Sequence, residues 1–114
     1  KFFFPMMPGV VHVPFPYCYR CPFNLEYPSC NLYCIDYIKN WVIEKYLPGD
    51  EIAAVFIEPV QGEGGYIPAP KDYMKKLRRL ADEYGFLIVS DEVQSGIGRT
   101  GKLFAIEHYD IRPD

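Results

Sequence analysis

The chain has no apolar run approaching the roughly 20 residues that a membrane helix needs, so no membrane partner is expected. It also lacks a basic patch. Twelve Lys and Arg against 15 Asp and Glu leave a net charge of −3. Nucleic acid is therefore not the expected partner. The opening stretch KFFFPMMPGV is aromatic and proline-broken, rather than basic and then continuously apolar, so it does not read as a signal peptide. With no targeting signal in view, the expected location is cytoplasmic, where structural disulfides are uncommon. Histidine is scarce: His12 and His108 are the only two. Neither stands near a Ser or Cys in a nucleophile-like context, and both read as packing or surface residues. A start Met and a closing element after Asp114 are missing too, so the 114 residues are expected to be a piece of a longer protein.

What is present is a soluble globular composition, 49% hydrophobic and 24% charged, at the size of one ordinary domain. Residues 1–31 carry Pro5, Pro8, Pro14, Pro16, Pro22 and Pro28 among many aromatics. Proline fixes φ and removes a donor, so this segment reads as an ordered, extended loop. Residues 32–47 place Ile35, Ile38, Trp41, Val42 and Tyr46 at helical spacing. An amphipathic helix is predicted there, started by Ser29 or Asn31 and ended by Pro48-Gly49.

The run IAAVFIEP, residues 52–59, predicts a strand buried on both faces. In residues 71–84, Tyr73, Met74, Leu77, Leu80, Ala81 and Tyr84 form one apolar stripe, which predicts a helix stopped by Gly85. FLIV, residues 86–89, predicts a second buried strand. Strand, helix, strand is a βαβ unit with parallel strands. Ligands in open α/β sheets bind outside the carboxyl ends of the strands. Both ends carry acids here: Glu58 after the first strand, Asp91 and Glu92 after the second. The first strand also leads into QGEGG, residues 61–65, whose glycines permit close backbone approach.

Three constellations compete for this chemistry. Gly96, Gly98 and Gly101 fit G-x-G-x-x-G, but SDEVQS separates them from the strand, so the glycines read better as turns than as a dinucleotide loop. Asp91 could pair with a cationic ring such as the pyridinium of pyridoxal phosphate. It could equally cap a helix or pair with Arg99 or Lys102. Cys18, Cys21, Cys30 and Cys34 read C-x2-C, eight residues, C-x3-C. Zinc or a disulfide could use them, and a non-enzymatic module held by these four cysteines is one functional reading.

FIEPVQGEGGYIPAP (residues 56–70) and IVSDEVQSGIGRTGKLFAIEH (residues 88–108) together closely resemble class III aminotransferases, which use pyridoxal 5'-phosphate. PGVVHVPFPYCYRCPF, residues 8–23, is also similar to that family, especially its archaeal members. The resemblance implies an α/β fold: part of the large domain of a fold-type I pyridoxal-phosphate transferase, with a mostly parallel sheet and flanking helices. Residues 1–31 would then be a loop region, and residues 32–114 an incomplete βαβ part of the cofactor domain. It implies that Asp91 pairs with the cofactor's ring nitrogen, Val93 packs on a ring face and Gln94 meets the phenolic oxygen. Glu58 would lie close behind, and Glu63 would pair with a substrate-binding arginine.

The implied reaction moves an amino group from an amino acid to a keto acid such as 2-oxoglutarate. The donor is an ω-amino acid such as 4-aminobutyrate or ornithine, or an α-amino acid. Some family members racemise amino acids instead. A homodimer is implied. The lysine that carries the cofactor would lie beyond Asp114 and the phosphate loop before Lys1. Lys102 follows Asp91 too closely to be that lysine, so the 114 residues alone are expected to be inactive.

Overall fold

Pro70 opens the longest helix, and Gly85, at φ 81°, closes it by donating its N–H to the Ala81 carbonyl. In the computed structural model, which describes residues 4–114, this helix spans Lys71–Tyr84. It is labelled α2. Tyr73, Met74, Leu77, Leu80 and Ala81 are buried along one face, as the stripe predicts. Each such burial contributes about 1.5–3 kcal/mol. The helix also carries exposed ion pairs such as Arg78–Asp82 at 2.8 Å, but such pairs contribute at most about 1 kcal/mol each. Packing, and not surface charge, holds α2 in place.

In sequence the helix connects two parallel strands, β1 (Ala54–Ile57) and β4 (Leu87–Ser90), which pair directly from Ala54 with Leu87 to Ile57 with Ser90. The N–H of Asp91 adds one more ladder bond to the Ile57 carbonyl at 2.9 Å. Ile57 and Ile88 face α2 within the core. The opposite face differs from the expectation of strands buried on both sides. Phe56 is 75% exposed and Leu87 52%, because among the described residues no element covers that face. Both sides of the strands are apolar, so the sequence reads as doubly buried while the helix covers only one.

Between β1 and α2 runs a short antiparallel hairpin, β2 (Val60–Gln61) with β3 (Ile67–Pro68). On the outer edge of β4, Asp114 donates its N–H to the Ile88 carbonyl and accepts the Ile88 N–H on its carboxylate, both at 3.0 Å.

The predicted helix over 32–47 is a different object. Only α1 (Tyr33–Tyr37) is α-helical, and it continues as a π turn, Ile38–Ile43. Neither Ser29 nor Asn31 caps it: the preceding Leu32 is left-handed with no side-chain cap, and Ser29 Oγ bonds the Glu26 carbonyl instead. The wider turn bonds residues five apart, as in Glu44 N–H to the Lys39 carbonyl at 3.0 Å. It therefore stacks Ile43 beneath Ile38. Ile35, Ile38 and Ile43 are buried, whereas Trp41 is 58% exposed and Tyr46 is exposed as well. Before α1, the described part of the loop region holds one three-residue turn, Cys18–Arg20, and no strand. Its first three residues, 1–3, lie outside the described residues.

Candidate active site at the strand ends

The carboxyl ends of β1 and β4 lie side by side through the parallel register, so the loops that leave them meet. Glu58 follows β1, half-buried, and its Oε2 accepts the Gly62 N–H at 2.8 Å. Gly62 is where the two loops touch. A Cβ built there would collide with the Gln94 carboxamide and come within 3.3 Å of Glu58 Oε2. Only glycine leaves room for Gln94 to lie against this backbone. Gln94 also donates from Nε2 to the Tyr66 hydroxyl at 3.2 Å. Tyr66 holds φ at 55°, a conformation disfavoured for a non-glycine residue, and such strain clusters at functional sites.

Asp91 stands exposed at the end of β4. Its Oδ1 accepts the Val93 N–H at 3.1 Å, which closes a local turn. No ion pair joins Asp91 to Arg99 or Lys102 among the described residues, so the salt-bridge alternative does not describe this structure. Val93 is 97% exposed. Asp91, Val93, Gln94 and Glu58 are thus brought to one edge. Glu63 sits exposed on the hairpin loop, and no hydrogen bond or ion pair joins it to the others among the described residues.

Glu92 was read from the sequence only as a second acid at the strand end, and its structural role was missed. It turns inward where Asp91 turns outward. Its two oxygens accept the Ser90 and Ser95 hydroxyls and the Ala105 and Ile106 N–H groups, at 2.8–3.0 Å. Burial opposes its ionisation, but these two amides and two hydroxyls outweigh burial and hold its carboxyl below the usual range. The usable signal was local: serines two residues before and three residues after an acid are donors waiting for an acceptor. Tyr66 was missed for a similar reason, because its partner Gln94 is far away in sequence.

Gly98 and Gly101, both at positive φ, form turns, and no helix starts there as a dinucleotide loop would require. His108 Nε2 meets the Thr100 carbonyl at 3.0 Å, and His12 is exposed. The four cysteines are free and all line one small apolar pocket with Phe15, Phe23 and Tyr33. No group of three His, Cys, Asp or Glu side chains among the described residues could hold a metal ion. Burial pushes the Cys34 thiol up to about 11, and burial followed by its cysteine neighbours raises Cys18.

The family model for class-III aminotransferases matches residues 1–114. The chain belongs to this family. Class III aminotransferases depend on pyridoxal phosphate. The chain is 50% identical over 105 residues to a leucine/methionine racemase of Thermococcus litoralis, covering 92% of this chain and 24% of the relative. It is 42% identical to an alanine/serine racemase of Pyrococcus horikoshii, covering 96% and 24%. Among solved structures, an (S)-enantioselective omega-transaminase from Thermomicrobium roseum matches with TM-score 0.88 and 35% identity, over all of this chain and 25% of that one. The 114 residues therefore span about a quarter of the length of these class III relatives. The α/β arrangement is part of a fold-type I pyridoxal-phosphate transferase.

The chain's residues fit that cofactor. One oxygen of Asp91 is used by its own turn, and Oδ2 has no partner among the described residues, as a carboxylate awaiting a protonated ring nitrogen requires. Gly62 leaves the space in which the Gln94 carboxamide lies, beside Asp91.

Proposed function

We propose that these residues form part of the cofactor site of an aminotransferase that moves an amino group from an amino acid to a keto acid such as 2-oxoglutarate. The donor is an ω-amino acid such as 4-aminobutyrate or ornithine, or an α-amino acid. The observation that carries this reading is the contact of Gln94, three residues after Asp91, with the Gly62 backbone at the ends of two parallel strands. Pyridoxal phosphate, when bound, supplies an electron sink for the pair released at the substrate's reacting carbon. The Asp91 carboxylate keeps a proton on the ring nitrogen, because an anion beside a pyridinium favours its charged form. Gln94 offers its carboxamide to the phenolic oxygen, Val93 packs against a ring face, and Glu58 steadies the Gly62 turn behind them. Glu63 stands on the substrate side as the partner of a substrate-binding arginine.

The loop region at residues 1–31 and the βαβ unit at 32–114 would serve a cytoplasmic homodimer. The 114 residues by themselves would not turn over substrate, because Lys102 sits in the Asp91 loop and is not the carrier lysine. No described helix is long and apolar enough to cross a membrane.

A second reading is amino-acid racemisation, favoured by the names of two relatives at 42–50% identity. One experiment tests both. The full-length protein is incubated with a single amino-acid enantiomer, with and without 2-oxoglutarate, while its visible absorption is followed. Bleaching of the cofactor band by donor alone, with catalytic consumption of donor only when keto acid is present, supports transamination. Appearance of the other enantiomer at constant total amino acid, without keto acid, supports racemisation. A protein that binds no pyridoxal phosphate would sink both.

A further inference from the structure

Residues 91–104 form a loop with no regular secondary structure between β4 and the turn Ala105–Tyr109. Such a loop cannot aim a carboxylate unless something fixes it. Glu92 Oε1 accepts Ser90 Oγ at 3.0 Å and the Ile106 N–H at 2.9 Å. Oε2 accepts Ser95 Oγ at 2.8 Å and the Ala105 N–H at 2.9 Å. One carboxylate thus joins the end of the strand, the first turn of the loop and the segment where the loop returns. That segment is anchored, since Ala105, Ile106 and Tyr109 are buried. The turn is closed by the Gly96 N–H on the Glu92 carbonyl at 2.9 Å. A Cβ at Gly96 would come within 2.7 Å of the same carbonyl oxygen.

The consequence is a sorting of side chains. Ser95 is 4% exposed and Glu92 half-buried, both turned inward, while Asp91, Val93 and Gln94 are exposed. Asp91 is fixed between its ladder bond to Ile57 and the peptide it shares with Glu92. Gln94 lies between Glu92 and Ser95, which bond each other.

We propose that Glu92 is a positioning residue: its inward-facing carboxylate sets where Asp91 and Gln94 meet the cofactor. This rests on the reading of Asp91 as the cofactor's partner. The ionised form is needed, since all four contacts donate hydrogen to it. The lowered pKa of Glu92, held down by these donors against burial, agrees with that requirement. Glutamine at this position keeps the shape but brings its own N–H groups against donors.

The test titrates pyridoxal phosphate into the cofactor-free full-length protein and records affinity, visible spectrum against pH, and thermal unfolding. Four proteins are compared: unaltered, Glu92→Gln, Ser95→Ala and Glu107→Gln. Glu107 is the control, because its Oε1 accepts the Phe104 N–H at 2.8 Å on the same segment without reaching the Asp91 turn. Glu92→Gln is expected to weaken binding by about tenfold, typical of groups that orient a direct ligand. It should also move the pH midpoint of the visible spectrum. Ser95→Ala should do the same to a smaller degree, and it carries the test if Glu92→Gln does not fold. Glu107→Gln should bind within about twofold of the unaltered protein while losing stability, as a substitution outside the site does. Unchanged affinity and midpoint in the Glu92 and Ser95 variants would overturn the inference alone. So would losses that merely follow stability and are matched by Glu107→Gln. Failure of the unaltered protein to bind pyridoxal phosphate would overturn the underlying reading as well.

Discussion

The loops that leave β1 and β4 each begin with an acid at a strand end, yet they are secured by opposite means. After β1 the chain turns within a few residues into the β2–β3 hairpin, and backbone pairs with backbone, as Gln61 does with Ile67. Glu58 adds a single bond to Gly62. After β4 the chain wanders from residue 91 to 104 without a ladder. Its two ends are tied instead by the Glu92 side chain, which accepts the Ser90 and Ser95 hydroxyls and the Ala105 and Ile106 N–H groups. A short loop at a sheet end is shaped by its own backbone. A long one needs a buried acceptor at its root.

The largest effect should come from removing that acceptor. Glu92→Ala strands two amides and two hydroxyls, and the expected loss is on the order of 2–3 kcal/mol, read from urea unfolding of the full-length protein. The same group dictates a pH dependence. Its folded-state pKa is depressed, so its contribution is present above the ordinary Glu value of about 4.3. That contribution disappears as pH falls through the lower folded value. The stability gap between the unaltered protein and Glu92→Gln should therefore close on acidification in that window.

Gly62→Ala attacks the contact between the two loops, where its Cβ meets the Gln94 carboxamide. About 2 kcal/mol is expected from overpacking, together with weaker pyridoxal-phosphate binding in a fluorescence titration. Glu58→Ala removes one acceptor from a loop that its hairpin already holds, so about 1 kcal/mol is expected. A loss as large as that of Glu92→Ala would break the distinction between the loops. The smallest effect has the opposite sign. Ile97 is exposed at φ 52°, a poor conformation for a β-branched residue. Ile97→Asn should raise the thermal midpoint, with a gain of up to about 1 kcal/mol.

The parts of this fold that the sequence revealed are those governed by local periodicity. The α2 stripe and its Gly85 stop were legible because side chains repeat every three to four residues and the glycine is sterically distinctive. The two strands were legible as apolar runs. Which of their faces is covered was not, because Phe56 and Leu87 are as apolar as Ile57 and Ile88. The 32–47 helix misled because a π turn changes the period midway: Trp41 and Tyr46 lie on the 3.6-residue stripe, but the wider turn buries Ile43 instead. Asp91, Gln94 and Glu58 could be placed at one edge from strand ends and motif likeness. Ser90 and Ser95 are a local hint of the inward role of Glu92, but its other donors, Ala105 and Ile106, lie more than ten residues away, where no local spacing reveals them.

Asp114 closes one backbone position on the side of β4 away from β1. Ile88 has both backbone groups taken on the outer edge of β4, its carbonyl by the Asp114 N–H and its N–H by the Asp114 carboxylate. An unpaired strand edge is a template on which a foreign strand can add. A carboxylate standing in for a carbonyl closes the register at that point and places a negative charge there. Any strand arriving at Ile88 would have to displace an ion-paired side chain, because the same Asp114 Oδ2 is held by Arg78 at 2.6 Å. Among the described residues, Asp114 thus occupies both backbone groups of Ile88, one through its own backbone and one through its side chain.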